Sequence, residues 1–263
     1  MPEKAAINLG RTLEELHQKF ISAAPFPYIC LDNFLDLSLA KSLSDNFPSL
    51  QNMDVFYKGL NERKGEHSSF ENLHEDFASL RKKLSTKDFV QQIETITGFK
   101  DLHLIDDRYG CGLHQGGNNS FLDTHIDYNL HPILKKQRRL NLIIFLNEKW
   151  EKDWGGFLQF SDSTGTKCVT SIEPKFNRAV IFICNPISYH GYNRIQCPET
   201  VTRKSFYLYF FSEPEKHLIF HDTVFTIKPQ DSFLRKARII TKEFLKNTIK
   251  RILYYTGLNQ LLK

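Results

Sequence analysis

No stretch of this chain is apolar for the roughly 20 residues that a bilayer-spanning helix requires. The opening segment, MPEKAAINLGRTLEELHQKF, has no apolar core of the kind a secretory leader carries, and is too acidic and amphipathic to be one. Cysteine is sparse and scattered: Cys30, Cys111, Cys168, Cys184 and Cys197 are odd in number and form no CxxC pair. That pattern argues against a disulfide framework and a structural zinc site, and for a reducing, cytoplasmic setting. Internal repeats and low-complexity segments are missing too. The formal net charge of +5 is mild and gathers near the C-terminus. With no aromatic base-stacking module beside it, this charge speaks against nucleic acid as a partner. Phenylalanine, by contrast, is plentiful at 22 residues, which suits a β-barrel packed with large side chains.

The chain reads as one domain over residues 1–263 in three parts. Residues 1–99 are helical support with an edge strand, 100–227 a β core, and 228–263 a basic amphipathic helix. Leu13, Leu16, Phe20 and Ile21 recur at helical spacing, and the Pro-punctuated PFPYICLDNF that follows predicts an edge strand. Leu37 to Phe47 predicts a second helix, stopped by Pro48. Residues 49–70 are polar and read as an irregular loop. Leu73, Phe77, Leu80 and Leu84 form a third stripe, and Phe89, Ile93 and Ile96 a fourth, closed by Gly98. From residue 101 the period becomes strand-like: Leu140, Leu142, Ile144 and Leu146 alternate, and short β-rich runs follow between Gly, Asn, Pro and Asp turns. Many short strands mean a sandwich, jelly roll or barrel. In the last segment an apolar stripe from Phe233 to Leu253 shares one helix with seven Lys and Arg residues, and Gly257 ends it. The stripe predicts burial against the barrel or the N-terminal helices, with a second subunit, an acidic substrate or an anionic membrane as the alternative partner.

The chemistry concentrates at FLDTHIDYN. On a strand, His125 and Asp127 point to the same side and can reach one ion together. His190, in NPISYHGYN, is the best candidate for a third ligand. Two histidines and a carboxylate on one face of a metal leave open positions opposite, the arrangement that suits non-haem Fe(II) oxygenases.

Further motifs follow in order: LNEKWEKDWGGFLQF, then IEPKFNRAVIFICNPISYHGYNRI, then RKSFYLYFF. Over residues 100–212 the chain resembles the 2-oxoglutarate/Fe(II) oxygenases of the prolyl-hydroxylase type. The resemblance implies a mainly β, double-stranded β-helix (jelly-roll, cupin-like) core with flanking helices. It implies Fe(II) held by His125, Asp127 and His190, and 2-oxoglutarate as cosubstrate, with ascorbate as an accessory reductant. Arg203 takes the place of the basic residue that pairs with the distal carboxylate of 2-oxoglutarate, Ser205 adds a hydroxyl, and Tyr109 matches an upstream tyrosine that reaches the cosubstrate in some relatives. Phe145 stands where some relatives carry a cosubstrate-binding tyrosine. The implied reaction is O2-dependent hydroxylation of a C–H bond, in peptidyl proline or a small-molecule or glycan substrate, with release of succinate and CO2. Arg203, Ser205, Tyr207 and Tyr209 share one strand face, and an inward polar row makes sense around a polar ligand. Trp150 and Trp154 read as rim packing, His114 and His131 as surface or substrate-loop residues, and Arg138 and Arg139 as a solvated strand start.

Three other functions compete. A nucleic-acid demethylase has only the basic C-terminal helix in its favour. A non-catalytic cupin-like binding protein has no reason to keep His125, Asp127, His190 and Arg203 together. An iron halogenase needs the position of Asp127 empty for chloride.

Overall fold

The protein is described here from a computed structural model over residues 7–69 and 72–258. Four helices pack on one side: α1 (Leu13–Ser22), α2 (Leu37–Asp45), α3 (Glu75–Leu84) and α4 (Lys87–Thr97). Each starts where a side chain accepts from the first-turn amides. In α1, Thr12 and Glu15 cap each other reciprocally. Gly98 ends α4 in the left-handed region at φ 79°, as its position after the stripe predicts. The stripes Leu16/Phe20, Phe77/Leu80/Leu84 and Phe89/Ile93/Ile96 are all buried and form one core with the back of the sheet.

The strands are β1 (Tyr28–Leu31), β2 (Val55–Lys58), β3 (Glu62–His67), β4 (His103–Leu104), β5 (Cys111–Gly116), β6 (Phe121–Ile126) and β7 (Gln137–Phe145). They continue with β8 (Leu158–Ser161), β9 (Cys168–Ile172), β10 (Arg178–Ile183), β11 (His190–Tyr192), β12 (Arg203–Ser212) and β13 (Val224–Phe225). The hydrogen-bonded order β1-β10-β7-β12-β5-β3-β6-β11-β8-β9 is antiparallel at every pairing. The sheet folds over on itself, so that Phe145, Val180 and Phe182 pack against Leu158, Phe160 and Ile172 from its other limb. This is a double-stranded β-helix. The central strands are buried on both faces. Leu140, Leu142 and Ile144 of β7 face the helices, while Asn141, Ile143 and Phe145 pair with Tyr209, Tyr207 and Ser205 of β12 on the barrel side. PFPYICLDNF supplies the edge strand β1, as expected.

Two expectations change. Residues 49–70 are not an irregular loop: they hold the hairpin β2–β3, and β3 inserts between β5 and β6. Its inward face carries Glu62, Lys64 and Glu66, so it has strand alternation without hydrophobic alternation. The last segment does form a helix, α5 (Phe233–Thr256), capped by Ser232 and ended by Gly257 at φ 76°; residues 259–263 of that segment lie outside the described residues. Its apolar stripe, however, is not buried. Only Ile239, Glu243 and Tyr254 are, because the barrel flank offers α5 acids. Asp123 takes Arg235, and Asp222 takes Lys246 and Lys250. Among the described residues, no helix is long and apolar enough to cross a membrane.

Asn177, between strands β9 and β10, joins the helical layer to the barrel. It is buried at φ 58°, its side chain accepts from the Leu35 amide at 2.8 Å and donates to the Leu35 carbonyl at 2.7 Å. Asn tolerates this conformation better than Ala does. Asn177→Ala is therefore expected to cost on the order of 3 kcal/mol, from two orphaned backbone groups and added strain. Urea unfolding checks this; an unchanged midpoint would mean that Leu35 finds other partners.

Candidate functional site

The pairing of β11 with β6 sets His190 directly across from His125, and Asp127 follows one residue past the end of β6. One ligand atom from each lies within 4.8 Å of the others. Both imidazoles are held the same way: His125 Nδ1 donates to the Asp123 carbonyl at 2.9 Å, and His190 Nδ1 to the Ser188 carbonyl at 3.0 Å. That bond fixes the tautomer and leaves each Nε2 lone pair facing the Asp127 carboxylate, 3.4 Å away in both cases. Burial pulls His190 down to about 4, so its ring is neutral near pH 7. Burial would raise the Asp127 carboxyl, but the Arg138 guanidinium and the two histidines hold it well below the usual carboxylate range. Two imidazoles and an ionised carboxylate converging from one side are a donor set that fits a ferrous ion.

Arg138 is the neighbour that the strand pattern hides. It is 1 % exposed, bonds Asp127 Oδ2 at 2.7 Å, and its guanidinium carbon sits 3.3 Å from the Tyr209 ring centre. Far from being a solvated strand start, it underpins the site. By simple alternation Arg138 shares the side of Leu140 and Leu142. A bulge changes this: β12 residues Phe210 and Phe211 face Leu140 and Arg138, skipping Arg139, so Arg138 turns into the barrel. Arg139 does reach the surface, where it pairs with Glu215 at 2.5 Å.

Arg203 and Ser205 are buried on the inward face of β12. Arg203 lies between the rings of Phe145 and Tyr192, 4.8 and 4.6 Å from their centres, and its Nε donates to the Gly156 carbonyl at 2.8 Å. Gly155 and Gly156, both at φ 69°, make the turn that brings this carbonyl in, and a Cβ on Gly155 would stand 2.5 Å from the Arg194 carbonyl oxygen. No carboxylate among the described residues pairs with Arg203, and burial lowers its pKa to about 10. A buried guanidinium with free N–H groups and no counter-ion fits the carboxylate of an organic acid. Lys204, on the opposite face, donates instead to the Ser44 carbonyl under α2.

A cavity of about 510 Å³ opens beside the His-Asp-His group, lined by His125, Asp127, Arg138, Tyr207 and Tyr209. Tyr109 lines it as well, with its ring against His131 and its hydroxyl accepting from Arg108 at 2.7 Å. His114 and His131 are not surface residues. His131 is fully buried, with Nε2 2.9 Å from Asp107. His114 stacks on Tyr207 at 4.1 Å, over Gly112, whose missing Cβ makes room for the Tyr207 ring. The His114 ring lies between Lys64 and Glu66, each 3.3 Å from its Nε2. Burial and the Lys64 ammonium pull His114 down to about 4; burial works against ionised Glu66, but His114, Lys64 and Tyr207 hold it at about 2. From α5, Lys242, Lys246 and Lys250 complete the wall. Trp150 and Trp154 pack edge to face, 5.5 Å apart, against the buried cluster of Tyr192, Ile195 and Cys197.

Comparison with known proteins adds a likeness over the β core. The model described as the 2OG-Fe(II) oxygenase superfamily matches residues 111–211, the run from the first residue of β5 almost to the end of β12. Mouse prolyl 3-hydroxylase OGFOD1 is 23% identical over 254 residues, covering 84% of this chain and 44% of that protein. The chain thus spans less than half the length of this curated relative. Among solved structures, a Trichoplax adhaerens prolyl hydroxylase in complex with a hypoxia inducible factor peptide fragment has a TM-score of 0.55 at 18% identity, covering 76% of this chain and 90% of that one. A Pseudomonas putida prolyl-4-hydroxylase has a TM-score of 0.53 at 16% identity, covering 76% and 99%. These two are likenesses of fold. The matched segment contains all of His125, Asp127, His190 and Arg203, so over residues 111–211 the chain is similar to the 2OG-Fe(II) oxygenase superfamily.

Proposed function

We propose that the chain is a 2-oxoglutarate- and O2-dependent hydroxylase that uses Fe(II) and acts on a prolyl residue of a peptide. The observation that carries the reading is the convergence of His125, Asp127 and His190 on one point at the edge of a cavity. The prolyl assignment rests on the names of its relatives in sequence and fold. In this family, iron, 2-oxoglutarate and O2 together supply oxidative decarboxylation to succinate and CO2 and the transfer of one oxygen atom to a C–H bond. His125, Asp127 and His190 are the proposed iron ligands. Arg203, with the Ser205 hydroxyl beside it, is the proposed anchor of the distal carboxylate of 2-oxoglutarate. Tyr128, Tyr207 and Tyr209 exclude bulk water from the cavity floor, and Tyr109 borders the mouth where a peptide enters.

Three outcomes follow. His125→Ala and Asp127→Ala are each expected to abolish succinate release while leaving the fold intact; full turnover by either variant with iron present would end the ligand assignment. Arg203→Ala should raise the KM for 2-oxoglutarate about tenfold to a hundredfold, since a charged hydrogen bond is worth roughly 1.5–3 kcal/mol. Arg203→Lys should be milder and Lys204→Ala near neutral; the reverse order would place the anchor on the wrong strand face. Arg138→Leu leaves Asp127 without its guanidinium, which should cost the metal-free protein about 3–5 kcal/mol. Mn(II) should return part of that stability, because the cation replaces the lost positive charge. Urea unfolding with EDTA and with Mn(II) measures both, and a variant indifferent to Mn(II) would contradict the assignment.

A further inference from the structure

The helix α5 is amphipathic in an inverted sense. Its charged side faces the protein, and its apolar side faces out. Phe233, Leu234, Ile240, Phe244, Ile249 and Ile252 are each more than half exposed, with Phe233 at 82 % and Phe244 at 69 %. Soluble proteins rarely leave so large an apolar face uncovered without a use for it. At 100° per residue, the apolar arc spans about half the helix circumference. Arg238 and Lys242 fall together on one border of this arc, and Lys236 and Arg251 on the other. None of these four pairs with a carboxylate among the described residues. Lys236 donates to the Pro229 carbonyl, Arg251 to the Phe220 carbonyl, and Lys242 lies over the Phe225 ring. The other three bases, Arg235, Lys246 and Lys250, are spent on Asp123, Asp231, Asp222 and Glu243. Glu243 is the only acid in the helix, and it faces inward at 7 % exposure.

This charge pattern selects the occupant. A second copy of the chain, laid helix against helix, would set one row of bases against another with no acid to pair them. An anionic bilayer meets both requirements at once. Its acyl region takes the apolar arc, and its headgroups take the bases along the two borders. The helix is too basic to span a membrane and is shaped to lie on one.

We propose that the outward face of α5 docks this protein on an anionic lipid surface. The apolar side chains from Phe233 to Ile252 enter the interface, and Lys236, Arg238, Lys242 and Arg251 contact headgroup phosphates and carboxylates. The opposite side of the same helix walls the cavity through Lys246 and Lys250, and Lys242 stands between the two sides. Docking therefore brings the cavity mouth close to the bilayer, where a membrane-associated substrate would meet it. This inference stands apart from the reading of the metal site.

Co-sedimentation of the full chain with lipid vesicles tests it without any activity measurement. Binding is expected to vesicles of phosphatidylcholine with about a third phosphatidylserine, and to fall at least about tenfold on pure phosphatidylcholine. It should weaken similarly at about 1 M salt, where the screening length is about 3 Å. Phe244→Ser and Ile240→Ser, both exposed and expected to leave the melting temperature unchanged, should each reduce binding about tenfold. Arg238→Glu should do the same. A chain that stays in the supernatant with anionic vesicles, or that binds equally well as Phe244→Ser and Ile240→Ser, overturns the proposal. So does a lipid-free dimer in analytical ultracentrifugation that Phe244→Ser dissociates, because the face would then belong to a second copy.

Discussion

An ionised carboxylate enclosed in a protein must be surrounded by positive charge or donors, and Asp127 is the group around which the barrel arranges them. Arg138 comes from β7, His125 from β6 and His190 from β11, so the carboxylate couples strands from both limbs of the folded-over sheet. None of these partners is free to move. Backbone carbonyls two residues back hold both imidazoles, and Tyr128 and Tyr209 stack on the guanidinium. The barrel therefore presents two Nε2 lone pairs and a carboxylate already aimed at one point. A cation held there, as proposed, would replace the contacts at 3.4 Å with ligation.

The sequence was legible wherever burial and periodicity agreed. The four N-terminal helices, the Gly98 cap, edge strand β1, the alternation in β7 and the order HxD, H, R all followed from apolar spacing or from a motif with a geometric meaning. It was illegible where the strand interior is polar. β3 reads as a loop because Glu62, Lys64 and Glu66 point into a charged cavity, so function erases the hydrophobic signal of its strand. Arg138 is hidden by a one-residue bulge that reverses its side. His114 is hidden because its neighbours Lys64 and Glu66 come from that same unrecognised hairpin.

For α5 the periodicity was right and the inference from it wrong. An apolar stripe predicts that something covers it, not that the same chain does. The deciding information lay in distant acids. Asp123 and Asp222 sit on the barrel flank, more than twenty residues before the bases they attract, and they rotate the helix so that its charged side faces in.

The two inward arginines show why residue type matters more than charge in this barrel. Arg138 is neutralised by Asp127, so its enclosure is compensated within the protein. Arg203 has two ring faces and one carbonyl but no carboxylate among the described residues. A lysine enclosed in that way would readily lose its proton, whereas a guanidinium stays charged even with its pKa lowered to about 10. The strand that carries Arg203 continues inward as Ser205, Tyr207 and Tyr209, passing from a full charge through a hydroxyl to two aromatic rings. Polarity thus falls along a single strand face toward the Arg138–Asp127 pair, and the unmatched positive charge is confined to its Arg203 end. An anion that reached Arg203 would gain a charged hydrogen bond that no other group on this strand face offers.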